Sequence, residues 1–232
     1  MKRMLAAWAA IVAIVAIAAT TLTPAANAQS ADPFSDAPEG ARPAAPASPD
    51  AAAALDVATY DGALARWRSA AHIEAWLGQH FRYDTARAAR LSETQRQREG
   101  TLPIIEPPAF FARPSGVCVD VARFGVETLR RIAPGTQARY LMIEFDPVTL
   151  SGQTLRRHWV AVYEADGRRF FFADSKRPGL VAGPYADTAA FIADYARYRG
   201  RRIVAFQERD SFERQQRLLR RAAPAAAGSV PS

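Results

Sequence analysis

Arg157-His158-Trp159-Val160-Ala161-Val162-Tyr163-Glu164-Ala165-Asp166-Gly167-Arg168-Arg169-Phe170-Phe171-Phe172-Ala173-Asp174 is the stretch on which the fold turns. Two runs of β-branched and aromatic residues flank an Asp-Gly pair. That dipeptide supplies the positive-φ positions of a tight turn, so the stretch reads as a β-hairpin. With Asp166 and Gly167 as the turn residues, position 165 faces 168 and position 158 faces 175. Asp174 then falls within one residue of His158 across the ladder. A bulge or a three-residue loop would bring the two directly opposite. Alternation puts His158 on the face of Val160 and Val162, and Trp159 on the other.

Working outward, Arg139 to Phe145 has the same strand character. Beyond the hairpin, Asp187 to Arg199 reads as a helix capped by Asp187, and Arg202 to Gln207 as a last strand. Residues 208–221 read as an Arg-rich helix or tail, and 222–232 as disordered. Toward the N-terminus, Leu64, Trp67, Ala70, Ile73, Leu77 and Phe81 recur at steps of three and four, which predicts one amphipathic helix over 60–81. The polar stretch from Thr85 to Gly100 either continues as an exposed helix or leaves the fold. Pro103, Pro107, Pro108 and Pro114 break the next segment into an extended loop. Ser115-Gly116 then opens a helix over 117–132, which Ala133-Pro134-Gly135 stops. Helices precede an antiparallel meander, so the expected class is α+β.

Composition narrows the function classes. Met1-Lys2-Arg3, the apolar run from Met4 to Ala19, and Ala26-Asn27-Ala28 have the three-part layout of a signal peptide over 1–28. The run is shorter than the roughly 17–25 residues of a bilayer span, so no stable membrane span is expected after processing. The expected location is the periplasm or the exterior. Removing residues 1–28 lowers the formal charge from +7 to +5. The remaining basic residues are Arg apart from Lys176, without the aromatic interleaving or motif of a nucleic-acid binder, and no nucleic-acid partner is expected. Residues 29–54, rich in Ala, Pro, Ser and Asp, read as a disordered linker, leaving 55–207 as the candidate catalytic domain. No zinc or calcium spacing stands out, so no metal or cofactor is expected.

The chain has one cysteine, Cys118, and so forms no internal disulfide. In an oxidising compartment an odd thiol is either buried and inert or has chemistry to perform. Cys118 falls in the first turn of its helix, where unpaired N–H groups and the helix dipole favour a thiolate. Gly116 leaves room beside the sulfur, and the Cys118 N–H is a candidate oxyanion donor. A thiolate nucleophile needs an imidazole partner. His158 is the candidate, since His72 and His80 lie on the first helix among polar neighbours. Asp174 is the candidate carboxylate that orients the imidazole. Asp120 could cap the helix start, balance Arg123 or assist the site, and the structural role is favoured.

Ser115-Gly116-Val117-Cys118-Val119-Asp120-Val121-Ala122 resembles the Gly-x-Cys-x-Asp-x-Ala nucleophile segment of transglutaminase-like domains. Gly135-Thr136-Gln137-Ala138-Arg139 is similar to the segment that follows the nucleophile helix. His158 to Tyr163, then Asp166-Gly167-Arg168 and Phe172-Ala173-Asp174, resemble the family's His and Asp strands. The likeness spans roughly residues 70–180. It departs at Phe170-Phe171-Phe172, where the family often has a Trp, and at Ser175, where it often has Pro. The resemblance implies a papain/transglutaminase-like fold and a Cys118-His158-Asp174 triad. It also implies acyl transfer through a thioester on protein or peptide substrates of the cell envelope. Tyr83 resembles the aromatic that precedes the nucleophile, a candidate oxyanion donor or core residue. Hydrolysis by a peptidase or amidase is favoured over crosslinking by a transglutaminase, because water needs no acceptor site. A non-catalytic binding module on the same fold is the alternative.

Overall fold

A computed structural model of the chain describes residues 55–91, 103–150 and 153–212. The expected signal peptide, the linker, residues 92–100 and the tail beyond 212 lie outside them. The described residues form a mixed helix-and-strand fold around one five-stranded antiparallel sheet. Helices α1 (Tyr60–Arg66), α2 (Ala70–His80), α3 (Thr85–Arg90), α4 (Pro107–Ala112) and α5 (Cys118–Ile132) come first. Two short strands, β1 (Arg82–Tyr83) and β2 (Ser115–Gly116), pair in parallel between them. The sheet follows as β3 (Arg139–Leu150), β4 (Gln153–Ala165), β5 (Arg168–Phe172) and β6 (Ala182–Tyr185). Helix α6 (Thr188–Arg199) and β7 (Ile203–Arg209) end the described chain.

The sheet order is β6-β5-β4-β3-β7, so the last strand crosses to the edge beside β3. Both faces are covered, which explains the nearly unbroken apolar runs of β3, β4 and β5. Tyr140, Met142, Trp159, Ala161 and Phe172 face the core built on α1, α2, α4 and α5. Leu141, Ile143, Val160, Val162 and Phe171 face Phe191, Ile192 and Tyr195 of α6. This strict alternation is the pleat's period of two. The hairpin has the register its turn demands, with Ala165 facing Arg168 and Val162 facing Phe171. Asp166 and Gly167 hold φ of 53° and 67°, the left-handed values an Asp-Gly turn supplies.

Four expectations need correction. The helix over 60–81 is two helices, because the chain extends at Trp67 (ψ 147°) before α2 begins. The break turns Trp67 fully into the core, against Trp76, Phe111 and Phe124. The strands expected over 139–145 and 157–165 meet in a longer hairpin, with a register shift between Glu144 and Val148. The last strand runs through Arg209, so 208 and 209 belong to the sheet and not to an Arg-rich helix. The segment from Pro103 to Pro114, expected as an extended loop, contains helix α4, whose Pro107 and Pro108 stand in its first turn, where a missing N–H costs no helical bond. Strand β6 is an additional element, and its Pro184 is tolerated because the strand lies at an edge.

Candidate functional site

Helix α5 begins at Cys118 itself, with Val117 in extended conformation before it. The preceding turn is fixed by Asp120, which is fully buried. Its carboxylate accepts from the Val117 N–H at 2.9 Å and the Ile105 N–H at 2.9 Å. It also takes Arg87 on both oxygens, at 2.7 and 2.9 Å. The structural role expected of Asp120 is what these bonds describe, but its cationic partner is Arg87. Arg123 instead pairs with Glu106 and Glu127. Gly116 has a different reason from the one expected: a Cβ there would lie 2.9 Å from that of Asp120. The missing side chain admits Asp120 under the turn.

His158 sits on β4 opposite Ile143, with its ring stacked on Tyr195 at 5.9 Å between centroids. Its Nε2 meets Asp174 Oδ1 at 2.8 Å. The Cys118 side chain also interacts with the imidazole and helps to raise its pKa. Cys118, His158 and Asp174 are therefore in one contiguous cluster, each under a tenth exposed. The β4–β5 ladder stops at the pair Ala161 and Phe172. Toward His158, β4 has lost its partner on that edge, and the helix carrying Cys118 packs along β4.

Asp174 reaches His158 by leaving the ladder. Continued pairing would point Ala173 to the α6 face and Asp174 to the other. Instead Ala173 adopts φ of 52° and packs on the α5 side. The reversal puts Asp174 on the His158 face. Gly125 of α5 accommodates the kink, since a Cβ there would come within 2.4 Å of that of Ala173.

The carboxylate of Asp174 is fully engaged. Oδ1 also accepts the Lys176 N–H at 2.9 Å, and Oδ2 accepts Arg177 Nε at 3.1 Å. Burial disfavours its charge, but His158, Arg177 and the Lys176 N–H outweigh burial and hold it far below the ordinary carboxylate range. Burial likewise disfavours an imidazolium at His158. The charge and hydrogen bond of Asp174, aided by Cys118, prevail and raise its pKa. The arrangement can hold a thiol, an imidazole and an ionised acid in series, the order in which a nucleophile, a proton carrier and an orienting group must stand.

The remaining candidates fall as follows. Tyr83 and Gly116 are register partners in the β1–β2 pair, which brings Tyr83 beside the nucleophile turn. Lys176 Nζ lies over the Tyr83 ring at 5.0 Å, linking the acid-bearing loop to that turn. His72 pairs with Ser69 at 2.8 Å and the His80 ring lies tilted against Trp76 at 5.1 Å, both apart from the cluster. Among the described residues no group of three or more His, Cys, Asp or Glu side chains is placed to hold a metal ion. Among them, too, no helix is long and apolar enough to cross a membrane.

Two residues at the site were missed. Arg177 lies over the rings of Tyr195 and Tyr198 at 4.8 and 4.7 Å. The signal for it was the aromatic spacing Phe191, Tyr195, Tyr198 on one helix face. Glu74 is buried beneath the loop that carries Asp174. Its signal was an acid at a position sharing the apolar face of Ala70, Ile73 and Leu77. Comparison of the sequence with protein-family models finds no match, and no curated protein matches it.

Proposed function

We propose that the chain is a thiol enzyme of the transglutaminase-like superfamily, with the papain/transglutaminase-like arrangement of helices on a sheet. It would cleave amide acyl groups of proteins or peptides through a thioester. The observation that carries this reading is the series Cys118–His158–Asp174, with the thiol at a helix start and the acid 2.8 Å from the imidazole. In this reading the Cys118 sulfur attacks the amide carbonyl carbon as a thiolate, forming a carbon–sulfur bond. His158, as imidazolium, gives its proton to the departing amine as the carbon–nitrogen bond breaks. It then takes a proton from water, whose oxygen attacks the thioester; the carbon–sulfur bond breaks, the acid leaves, and the thiolate and imidazolium are restored. Asp174 holds the ring and balances its charge without accepting the proton. Hydrolysis is preferred over transfer because an amine acceptor would need its own site. The envelope location rests on the N-terminal sequence.

Mass spectrometry of the protein quenched during turnover of an activated amide or ester tests the reading. A mass increase equal to the acyl group, located on Cys118 and lost in Cys118→Ala, is expected. Turnover with no adduct, undiminished in Cys118→Ala, would assign the chemistry elsewhere.

A further inference from the structure

The loop between β5 and β6 carries Asp174, and its shape is unfavourable on its own. Ala173 stands at φ of 52°, where an L side chain crowds the backbone. Its N–H has left the β4 ladder and lies in the core. A donor in that position needs a partner from outside the sheet.

The partner is Glu74, on α2, 99 residues away in sequence. Glu74 is 1% exposed. One carboxylate oxygen accepts the Ala173 N–H, and the other accepts the Gly179 N–H at 2.7 Å. A single side chain thus grips both ends of the segment 173–180, with Asp174 next to one grip. Burial, with the charge of Asp174 added, pushes the Glu74 carboxyl up to about 8 against the pull of its backbone N–H donors. A buried carboxyl group, charged or neutral, is costly where an apolar residue would pack. Its bonds all go to the loop's backbone, and none goes to the reacting groups.

We propose that Glu74 is a positioning residue of the site: it clamps both ends of the 173–180 loop and so fixes the direction in which Asp174 meets His158. The inference rests on reading Cys118, His158 and Asp174 as one reactive unit. Glu74→Gln is the sharpest change, because it keeps the shape but turns an amide N–H₂ toward a backbone donor.

The test is the alkylation rate of Cys118 by iodoacetamide at about pH 6, where an ordinary thiol is protonated. It is measured for the wild type, Glu74→Gln, Glu74→Asp, Asp174→Ala and the Glu74→Gln/Asp174→Ala double variant. Circular dichroism confirms that each is folded. Glu74→Gln is expected to slow alkylation by about 10- to 100-fold, and the double variant to be no slower than Asp174→Ala alone. Where Glu74→Gln does not fold, Glu74→Asp, which keeps the carboxyl group but shortens the reach, is read in its place. A folded Glu74 variant with the wild-type rate overturns the proposal, as does a loss that multiplies with that of Asp174→Ala. A wild type that is itself unreactive at that pH overturns the reading of the site, and the proposal with it.

Discussion

His158 and Asp174 stand 2.8 Å apart, yet the two regions that carry them are built on opposite principles. The hairpin over 157–172 is a regular ladder. Its turn residues are local, its register follows from them, and its side chains alternate between two cores. The loop over 173–180 is irregular and is held from outside, by Glu74 below, by the α6 aromatics against its own Arg177, and by Gly125 leaving room. Local sequence places the imidazole; tertiary contacts place the acid. The difference means that the two residues should fail in different ways.

The largest effects are on turnover. Cys118→Ala should abolish acyl-enzyme formation. His158→Ala should lower single-turnover rates by roughly 10⁵- to 10⁶-fold and Asp174→Ala by roughly 10⁴-fold. His72→Ala and His80→Ala should be near neutral, as neither touches the cluster. If His158→Ala kept its rate while either control lost it, the assignment of the base from strand alternation would be wrong.

Next comes the pH dependence of stability. Asp174 is held below its ordinary value of 3.8. Its contribution is therefore complete above about pH 4 and lost as pH falls through the lower folded value. His158 is raised above 6.5, so its imidazolium contribution is complete below about pH 6.5 and lost as pH rises through the folded value. The stability lost in Asp174→Asn should thus peak between about pH 4 and 6.5, at about 3–5 kcal/mol. It should shrink on both sides, retaining on the alkaline side the part due to Arg177. Thermal melts of both proteins from about pH 3 to 9 measure it. A difference that does not vary with pH would mean the pair is not ionised as described.

Smaller effects separate the loop from the hairpin. Gly125→Ala puts a methyl into the Ala173 contact and should cost about 1–3 kcal/mol, with slower alkylation of Cys118 because the loop shifts. Gly167→Ala strains the hairpin tip by about 1–2 kcal/mol, with open space around it and no change in Cys118 reactivity. Equal effects of the two on the thiol would erase the contrast between the regions.

The same contrast explains what the sequence made legible. Asp166-Gly167 set the ladder, alternation separated His158 from Trp159, and Cys118 stands at a helix start as its surroundings indicated. Asp174 was placed to within one residue. The last step was hidden, because a left-handed Ala173 is not a preference of alanine but a conformation imposed by Glu74 and Gly125. The break at Trp67 was hidden for a related reason: the three-and-four periodicity of 60–81 survives an interruption that keeps each apolar residue facing inward. Asp120's partner Arg87 lies 33 residues before it, beyond any local pattern, whereas Arg123 was the near and wrong choice.

The central claim is that His158, oriented by Asp174, keeps Cys118 reactive as a thiolate. The pH profile of Cys118 alkylation by iodoacetamide, in the wild type and His158→Ala, tests it directly. The wild type should alkylate readily at about pH 5–6, and His158→Ala should react only as pH approaches the ordinary thiol value of about 8.5. Two superimposed profiles, both rising near about 8.5, would contradict the claim.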